Sequence, residues 1–354
     1  LYNRFANIFL FIASISICIT GIEVLLRIFP QYNDNLPVRI ARSKFSSYIM
    51  APNQTAKSLH GVKYNINSLG LRDEEINSPY GEILGLAVGD SSTMGYGVEA
   101  SERFSNVLSK TISKQPLLIK KIGCSDCTSM RILNAGHSGY AAIDTLGMTD
   151  YLLNLGLKPR ILIVGVVTDD FDRPIKITMR GKYGTKVART NNSVLLLIEV
   201  FLKDIFRHSA TYQFVANSVK NINRNFSIQN NETSRLQSLS NTQNIALNAF
   251  NDLILKSSDT SENIPVIFAY LPKYWELDNV NADILPLKLL KKKVETSKCA
   301  VFIDPREKLV NSGYDRINLY ALNDPHHPSA LGHKIISDAI NQELPNILDA
   351  CLSR

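Results

Sequence analysis

The run Ile83-Leu84-Gly85-Leu86-Ala87-Val88-Gly89-Asp90-Ser91-Ser92-Thr93-Met94-Gly95-Tyr96-Gly97 is the most informative in the chain. Its first six residues are apolar or glycine, the pattern of a strand buried on both faces of a parallel sheet. The strand runs out into small and polar residues, which puts Ser91 at its C-terminal end, where open α/β sheets bind their ligands. Small neighbours leave the Ser91 hydroxyl accessible, and backbone N–H groups at such a turn can face a developing oxyanion. The order Gly-Asp-Ser-Ser-Thr is not the G-x-S-x-G elbow of other hydrolases. Taken alone, this Gly-Asp-Ser also suits a plain turn.

Outward from this stretch the same kind of run recurs at 132–134, 161–167, 266–271 and 300–303, separated by helical patterns at 104–112, 142–155, 242–255, 284–294 and 329–348. Strand and helix in alternation predict an α/β chain: an open sheet with helices on both faces. One stretch, 173–240, interrupts it. There a glycine-containing run at 179–190 suits a hairpin, and two helical segments follow at 194–206, with Ser193 as its cap, and 210–222. The apolar 194–198 run is too short to cross a bilayer and is either core or a cover over a pocket. The plain reading is an insertion on the sheet edge, ending in an Asn/Ser-rich loop at 223–241. Residues 31–80, punctuated by Pro37, Pro52 and Pro79, read as a stalk and N-terminal extension, and the main domain runs from 81 to 354.

The chain has 354 residues, 45% of them hydrophobic, and a formal charge of +7, a composition that excludes a wholly disordered protein. The positive charge suits an anionic glycan or a lipid surface, but no nucleic-acid motif accompanies it. The Lys291 to Lys293 run reads as a solvated helix face. Residues 1–30 bear on compartment: 8–22 is nearly all apolar, Arg4 precedes it, and continuation past Glu23 approaches the roughly 20 residues that span a bilayer. This reads as an uncleaved signal anchor with the remainder exported. A cleaved signal peptide and a buried soluble helix are the alternatives.

Cys18 falls in that segment, leaving Cys124, Cys127, Cys299 and Cys351 in the exported part. An even number in an oxidising compartment allows two disulfides, and Cys124 with Cys127 and Cys299 with Cys351 is the preferred pairing of the three possible. No metal or cofactor is implied. The Cys124-x-x-Cys127 spacing lacks the second pair that a zinc site needs, and it does not open a helix as a redox motif would.

A second cluster, Asp324-Pro325-His326-His327-Pro328-Ser329-Ala330-Leu331-Gly332-His333, stands before the last helix. An Asp and a His three residues apart on one turn can both serve a serine, the carboxylate orienting the imidazole that takes the hydroxyl proton. His327 is favoured over His326 as that base. Pro328 suits the first position of the helix, and His333 reads as packing within it.

With these residues in view the chain resembles the SGNH/GDSL hydrolase superfamily, as a membrane-anchored member. The resemblance covers about 60–172 and 245–343. It rests on Gly89 to Gly97, on Asn134-Ala135-Gly136-His137-Ser138-Gly139-Tyr140, on Asp324 to His333, and on a lead-in, Tyr64-Asn65-Ile66-Asn67-Ser68-Leu69-Gly70-Leu71-Arg72. It implies a flavodoxin-like three-layer α/β/α fold, Ser91 as nucleophile, His327 and Asp324 as base and orienting acid, and the N–H groups of Ser91 and Gly139 as oxyanion donors. One block departs: Asp169 of Thr168-Asp169-Asp170-Phe171 falls where the family carries an Asn that gives a third donor. An ionised carboxylate cannot donate and would repel the oxyanion. Asp169 is therefore protonated, or another group donates, or the enzyme is weak; capping a turn is its plain structural role. The implied activity is hydrolysis or transfer of an ester-linked acyl group, acetyl on an extracytoplasmic glycan in the first place. A lipid ester is the competing substrate, with 194–200 as the acyl pocket. A catalytically impaired glycan-binding or assembly protein is the reading of another class.

Overall fold

The computed structural model describes residues 2–28, 38, 40–41, 43–58, 61–76, 82–123, 126–173, 178–181, 184–187, 209–211, 214–215, 239–256, 263–322 and 324–352. Five apolar runs become strands of one parallel sheet: β1 (Glu82–Val88), β2 (Ser129–Asn134), β3 (Leu162–Val166), β4 (Val266–Tyr270) and β5 (Ala300–Ile303). They lie in the order β5-β4-β3-β1-β2, with every neighbouring pair parallel. Read from the other edge this is the 2-1-3-4-5 order of a flavodoxin-like sheet, whose order reverses between β1 and β3.

Alternate strand residues serve opposite faces. Val164 and Phe268 face the core shared with Met148 and Leu152 of α4 (Ala142–Asn154), Phe250 and Leu253 of α5 (Asn241–Leu255), and Leu287 and Leu290 of α6 (Leu285–Val294). Ile163 and Ile267 face the other core, with Phe104, Leu108 and Ile112 of α3 (Phe104–Ser113) and Ile336, Ile340 and Leu344 of α7 (Ala330–Leu352). Each such buried side chain contributes about 1.5–3 kcal/mol, so the chain is a three-layer α/β/α sandwich stabilised on both faces of its sheet.

The strands and helices expected of the alternating pattern are all present. Helix α7 runs on to Leu352 rather than 348, and β2 starts at Ser129 rather than 132. Strand β2 is an edge strand whose first residues alternate between buried and half-buried, so Ser129 and Arg131 break the apolar run without breaking the pairing. Two short helices, Pro116–Lys121 and Arg306–Val310, were not expected. Lys291 is not merely solvated: it pairs with Asp283 at 2.8 Å and Asp304 at 2.9 Å.

Residues 43–58 and 61–76 pack on the sandwich. Gly147 of α4 admits the carbonyl of Phe45 so closely that a Cβ would lie 1.7 Å from it. Gln54–Lys57 and Lys63–Ile66 pair antiparallel. Ile40–Ala41 and Ile49–Met50 join a hairpin, Thr178–Gly181 with Gly184–Val187, in a separate four-stranded sheet. The expected helix at 194–206, its Ser193 cap and the 194–200 run lie outside the described residues; of the second expected helix, 210–211 and 214–215 are helical.

Helix α1 (Tyr2–Arg27) contains a stretch, Phe5–Arg27, long and apolar enough to cross a membrane, and its apolar window is not buried against the rest of the chain. A signal sequence passes the same test. Near its end the Glu23 carboxylate accepts hydrogen bonds from Ser209, Ala210 and Thr211, all at 2.9 Å. Cys299, just before β5, is bonded to Cys351 near the end of α7. The other preferred pair includes Cys124, outside the described residues.

Candidate active site

The site is built at the C-terminal end of β1, beside the sheet's reversal. Gly89 follows the strand with φ 152°, and a Cβ there would fall 2.2 Å from Thr93 Oγ1 and 2.8 Å from the Gly165 carbonyl of β3. Only glycine lets the turn sit so low on the sheet. Asp90 caps the following short helix, α2 (Ser91–Met94), its Oδ1 accepting from the Ser92 N–H at 2.8 Å. Ser91 is thus the first helical residue, and its own N–H is one of those without an intrahelical acceptor.

A buried arginine fixes the other end of that turn. Arg72 donates to the carbonyls of Met94 (3.1 Å), Gly95 (2.6 Å) and Val98 (2.7 Å), and its guanidinium lies 3.8 Å from the centre of the Tyr64 ring. Arg103 in turn donates to the Arg72 carbonyl at 2.5 Å. The lead-in segment is therefore a clamp on the nucleophile turn.

Across the cleft, Asp324 and His327 do not sit on a turn as expected. Asp324–Pro328 is a short strand paired antiparallel with Tyr320–Ala321. Pro328 is not the first helical residue, because Ser329 caps α7 through its Oγ, which accepts from the Gly332 N–H at 3.2 Å. The strand still delivers both side chains. His327 Nδ1 lies 2.8 Å from Asp324 Oδ2, and His327 Nε2 lies 2.8 Å from Ser91 Oγ. A carboxylate only accepts, so Nδ1 carries the proton and Nε2 is left to accept the Ser91 hydroxyl. Asp324, His327 and Ser91 are all buried. Tyr96 packs its ring 4.7 Å from that of His327. It is His327 and not His326 that reaches the serine; His326 lies edge-on to Trp275 at 4.9 Å. His333 is fully buried inside α7 against Phe104, and burial, with Arg103 and Arg72 nearby, lowers its pKa to about 3.

Ser91, Gly139, Asp169 and His327 line one cleft of about 230 Å3, together with Arg173 and Lys273. Gly139 has φ 76°, a left-handed turn residue just beyond β2. Asp169 belongs to a 3-10 turn, Thr168–Phe171, at the end of β3. Burial alone would raise its carboxyl, but Lys273 and Arg173 outweigh that and hold it below the ordinary aspartate range. Asp169 is therefore ionised and accepts; the protonated, donating form is not the one present. Its neighbour Asp170 is fully enclosed, and burial and Asp90 push its carboxyl up against the pull of Arg173.

Arg173 and Lys273 were not singled out in the sequence. Arg173 bridges Asp90 (3.0 Å), Asp170 (3.2 Å), Asp169 (3.3 Å) and the Tyr140 carbonyl (2.6 Å). It thereby occupies the Asp90 carboxylate beside the nucleophile. Lys273, three residues past β4, forms an ion pair with Asp169. The only advance signals were spacing, Arg173 following Asp169 by four residues, and the position of Lys273 at a strand's C-terminal end.

No family model matches the chain, and no curated protein matches it. Among solved structures it is similar to an α/β hydrolase enzyme from the metagenome of Lake Arreo, Spain, at 12% identity over 75% of this chain and 96% of that one, with TM-score 0.42. It is also similar to a member of the lipolytic G-D-S-L family from Veillonella parvula (12% identity, 74% and 96% covered, TM-score 0.36) and to a catalytic mutant of an acetylxylan esterase from Geobacillus stearothermophilus (14% identity, 74% and 94% covered, TM-score 0.39). Likeness at this level says nothing of what this chain acts on.

Proposed function

We propose that the chain is a serine ester hydrolase of the SGNH/GDSL type. The observation that carries this is the relay Asp324–His327–Ser91, two contacts of 2.8 Å at the switch point of a flavodoxin-like sheet. In this reading the Ser91 hydroxyl gives its proton to His327 Nε2 as Oγ attacks the ester carbonyl, and Asp324 stabilises the imidazolium. His327 then protonates the departing alkoxide, leaving Ser91 acylated, and water reverses the sequence. The N–H groups of Ser91 and Gly139 are the backbone donors to the oxyanion.

A small acyl group, acetyl in the first place, suits the cleft. Among its lining residues Val167 is the one aliphatic side chain, while Ser92, Ser138, Asp169, Arg173 and Lys273 are polar. An acetyl ester of a glycan outside the cytoplasm is the substrate class we favour, because an apolar N-terminal helix and a disulfide between Cys299 and Cys351 suit an anchored, exported domain. Lys273, paired with Asp169 in the cleft, offsets the Asp169 charge and supports catalysis over the alternative of a catalytically impaired binding protein.

The test is turnover of an aryl acetate and an aryl octanoate by wild type and Ser91→Ala. We expect acetate to be preferred and the variant to fall to background, a loss of several orders of magnitude. Undiminished turnover by Ser91→Ala would end the assignment, and a preference for octanoate would move the substrate to lipid esters.

A further inference from the structure

We propose that Lys273 is a catalytic residue, the cationic donor to the oxyanion that forms when Ser91 attacks an ester, and that Asp169 is the residue that positions it. This rests on the seryl mechanism above. Three observations meet at Lys273. Its side chain is 9% exposed, yet it lines the cleft that Ser91, Gly139 and His327 line. An ammonium has three N–H donors, and Asp169 is the one hydrogen-bond acceptor that the described residues give it. Finally, its backbone is fixed from several sides. The Lys273 N–H donates to Glu276 Oε2 at 2.7 Å, the same oxygen accepts from the Tyr270 hydroxyl at 2.8 Å, and the carbonyl of the preceding Pro272 accepts from the Tyr320 hydroxyl at 2.9 Å.

A buried cation with donor capacity to spare, lining the same cleft as a serine–histidine pair, is what a developing negative charge requires. The Asp169 carboxylate alone would oppose that charge; paired with Lys273 it becomes the strut that aims the ammonium. Arg173 steadies the far oxygen of the strut, its guanidinium 3.3 Å from Asp169 Oδ2 while Lys273 holds Oδ1. During attack the Ser91 Oγ–carbon bond forms, the carbonyl π pair moves onto its oxygen, and the serine proton passes to His327. Lys273 donates a hydrogen bond to that oxygen and transfers no proton. The oxygen returns to a carbonyl when the alkoxide leaves.

The experiment compares the full chain in detergent as wild type, Lys273→Met, Asp169→Asn and the double variant. It reads kcat and KM on an aryl acetate and the second-order rate of inactivation by a fluorophosphonate. Lys273→Met should lower kcat and the inactivation rate by about 100-fold or more, with KM little changed, because removing one oxyanion donor costs about 10²–10³ in kcat and here strands a carboxylate as well. Asp169→Asn should lose only a few-fold, since Lys273 remains. Adding Asp169→Asn to Lys273→Met should restore at least about tenfold, because an amide N–H then donates where a carboxylate repelled. A Lys273→Met protein that is folded and within about threefold of wild type in both readouts overturns the inference, as does a double variant no better than the single. If the fluorophosphonate does not modify Ser91 in wild type, the seryl mechanism fails, and this assignment with it.

Discussion

Acidification from pH 7 to pH 5 should destabilise the chain through two buried imidazoles. His137 and His333 are both fully buried, and burial lowers their pKa values from 6.5 to about 4 and about 3. The unfolded chain takes up a proton on each as pH falls below about 6.5, while the native chain keeps both neutral. Their stabilising effect is complete above the unfolded pKa and is lost as pH falls towards the folded ones. At pH 5 the unfolded state gains RT ln(1 + 10^1.5), about 2 kcal/mol, for each residue. That is a large share of an ordinary stability of about 5–15 kcal/mol. Asp170, whose carboxyl is pushed up, works with the opposite sign. The discriminating quantity is therefore the difference between wild type and His333→Gln, measured by urea unfolding in detergent at both pH values. The variant should be less stable at pH 7 but lose about 2 kcal/mol less on acidification. Equal losses in the two proteins would mean that the fold does not hold His333 neutral.

His327→Ala should reduce turnover by orders of magnitude and His326→Ala by far less, since only the former reaches Ser91; the reverse order in steady-state kinetics would move the base by one residue. Arg72→Met strands three carbonyls on the nucleophile turn, so kcat should fall more than KM changes, and a thermal melt should show a loss of about 3–5 kcal/mol. Reducing the Cys299–Cys351 bond, which closes a loop spanning 52 positions, should lower stability by about 4 kcal/mol, read as a drop in melting temperature with dithiothreitol.

The sheet was legible because parallel strands buried on both faces leave runs such as 266–271 with no polar interruption, and because a helix must separate each pair. Ser91 and His327 were legible as residue types at the ends of such elements. What the sequence hid is long-range. Nothing local to Lys273 indicates that its ammonium meets Asp169, 104 positions away, and the clamp of Arg72 on Gly95 closes only in three dimensions. The turn expected at Asp324 failed for a related reason: Tyr320–Ala321 offers the backbone a strand partner, which local propensity at Asp-Pro-His-His does not reveal. The start of the last helix is legible in Ser329, a residue type that caps through its side-chain oxygen, rather than in Pro328.

The proposed activity stands or falls with Ser91 as the nucleophile. It is tested most directly by treating the chain with a fluorophosphonate, mapping the modified peptide by mass spectrometry and following ester turnover as the label accumulates. One label per chain on Ser91, with activity falling in proportion, is the predicted result. A label on another residue, or turnover that survives complete modification of Ser91, would contradict it.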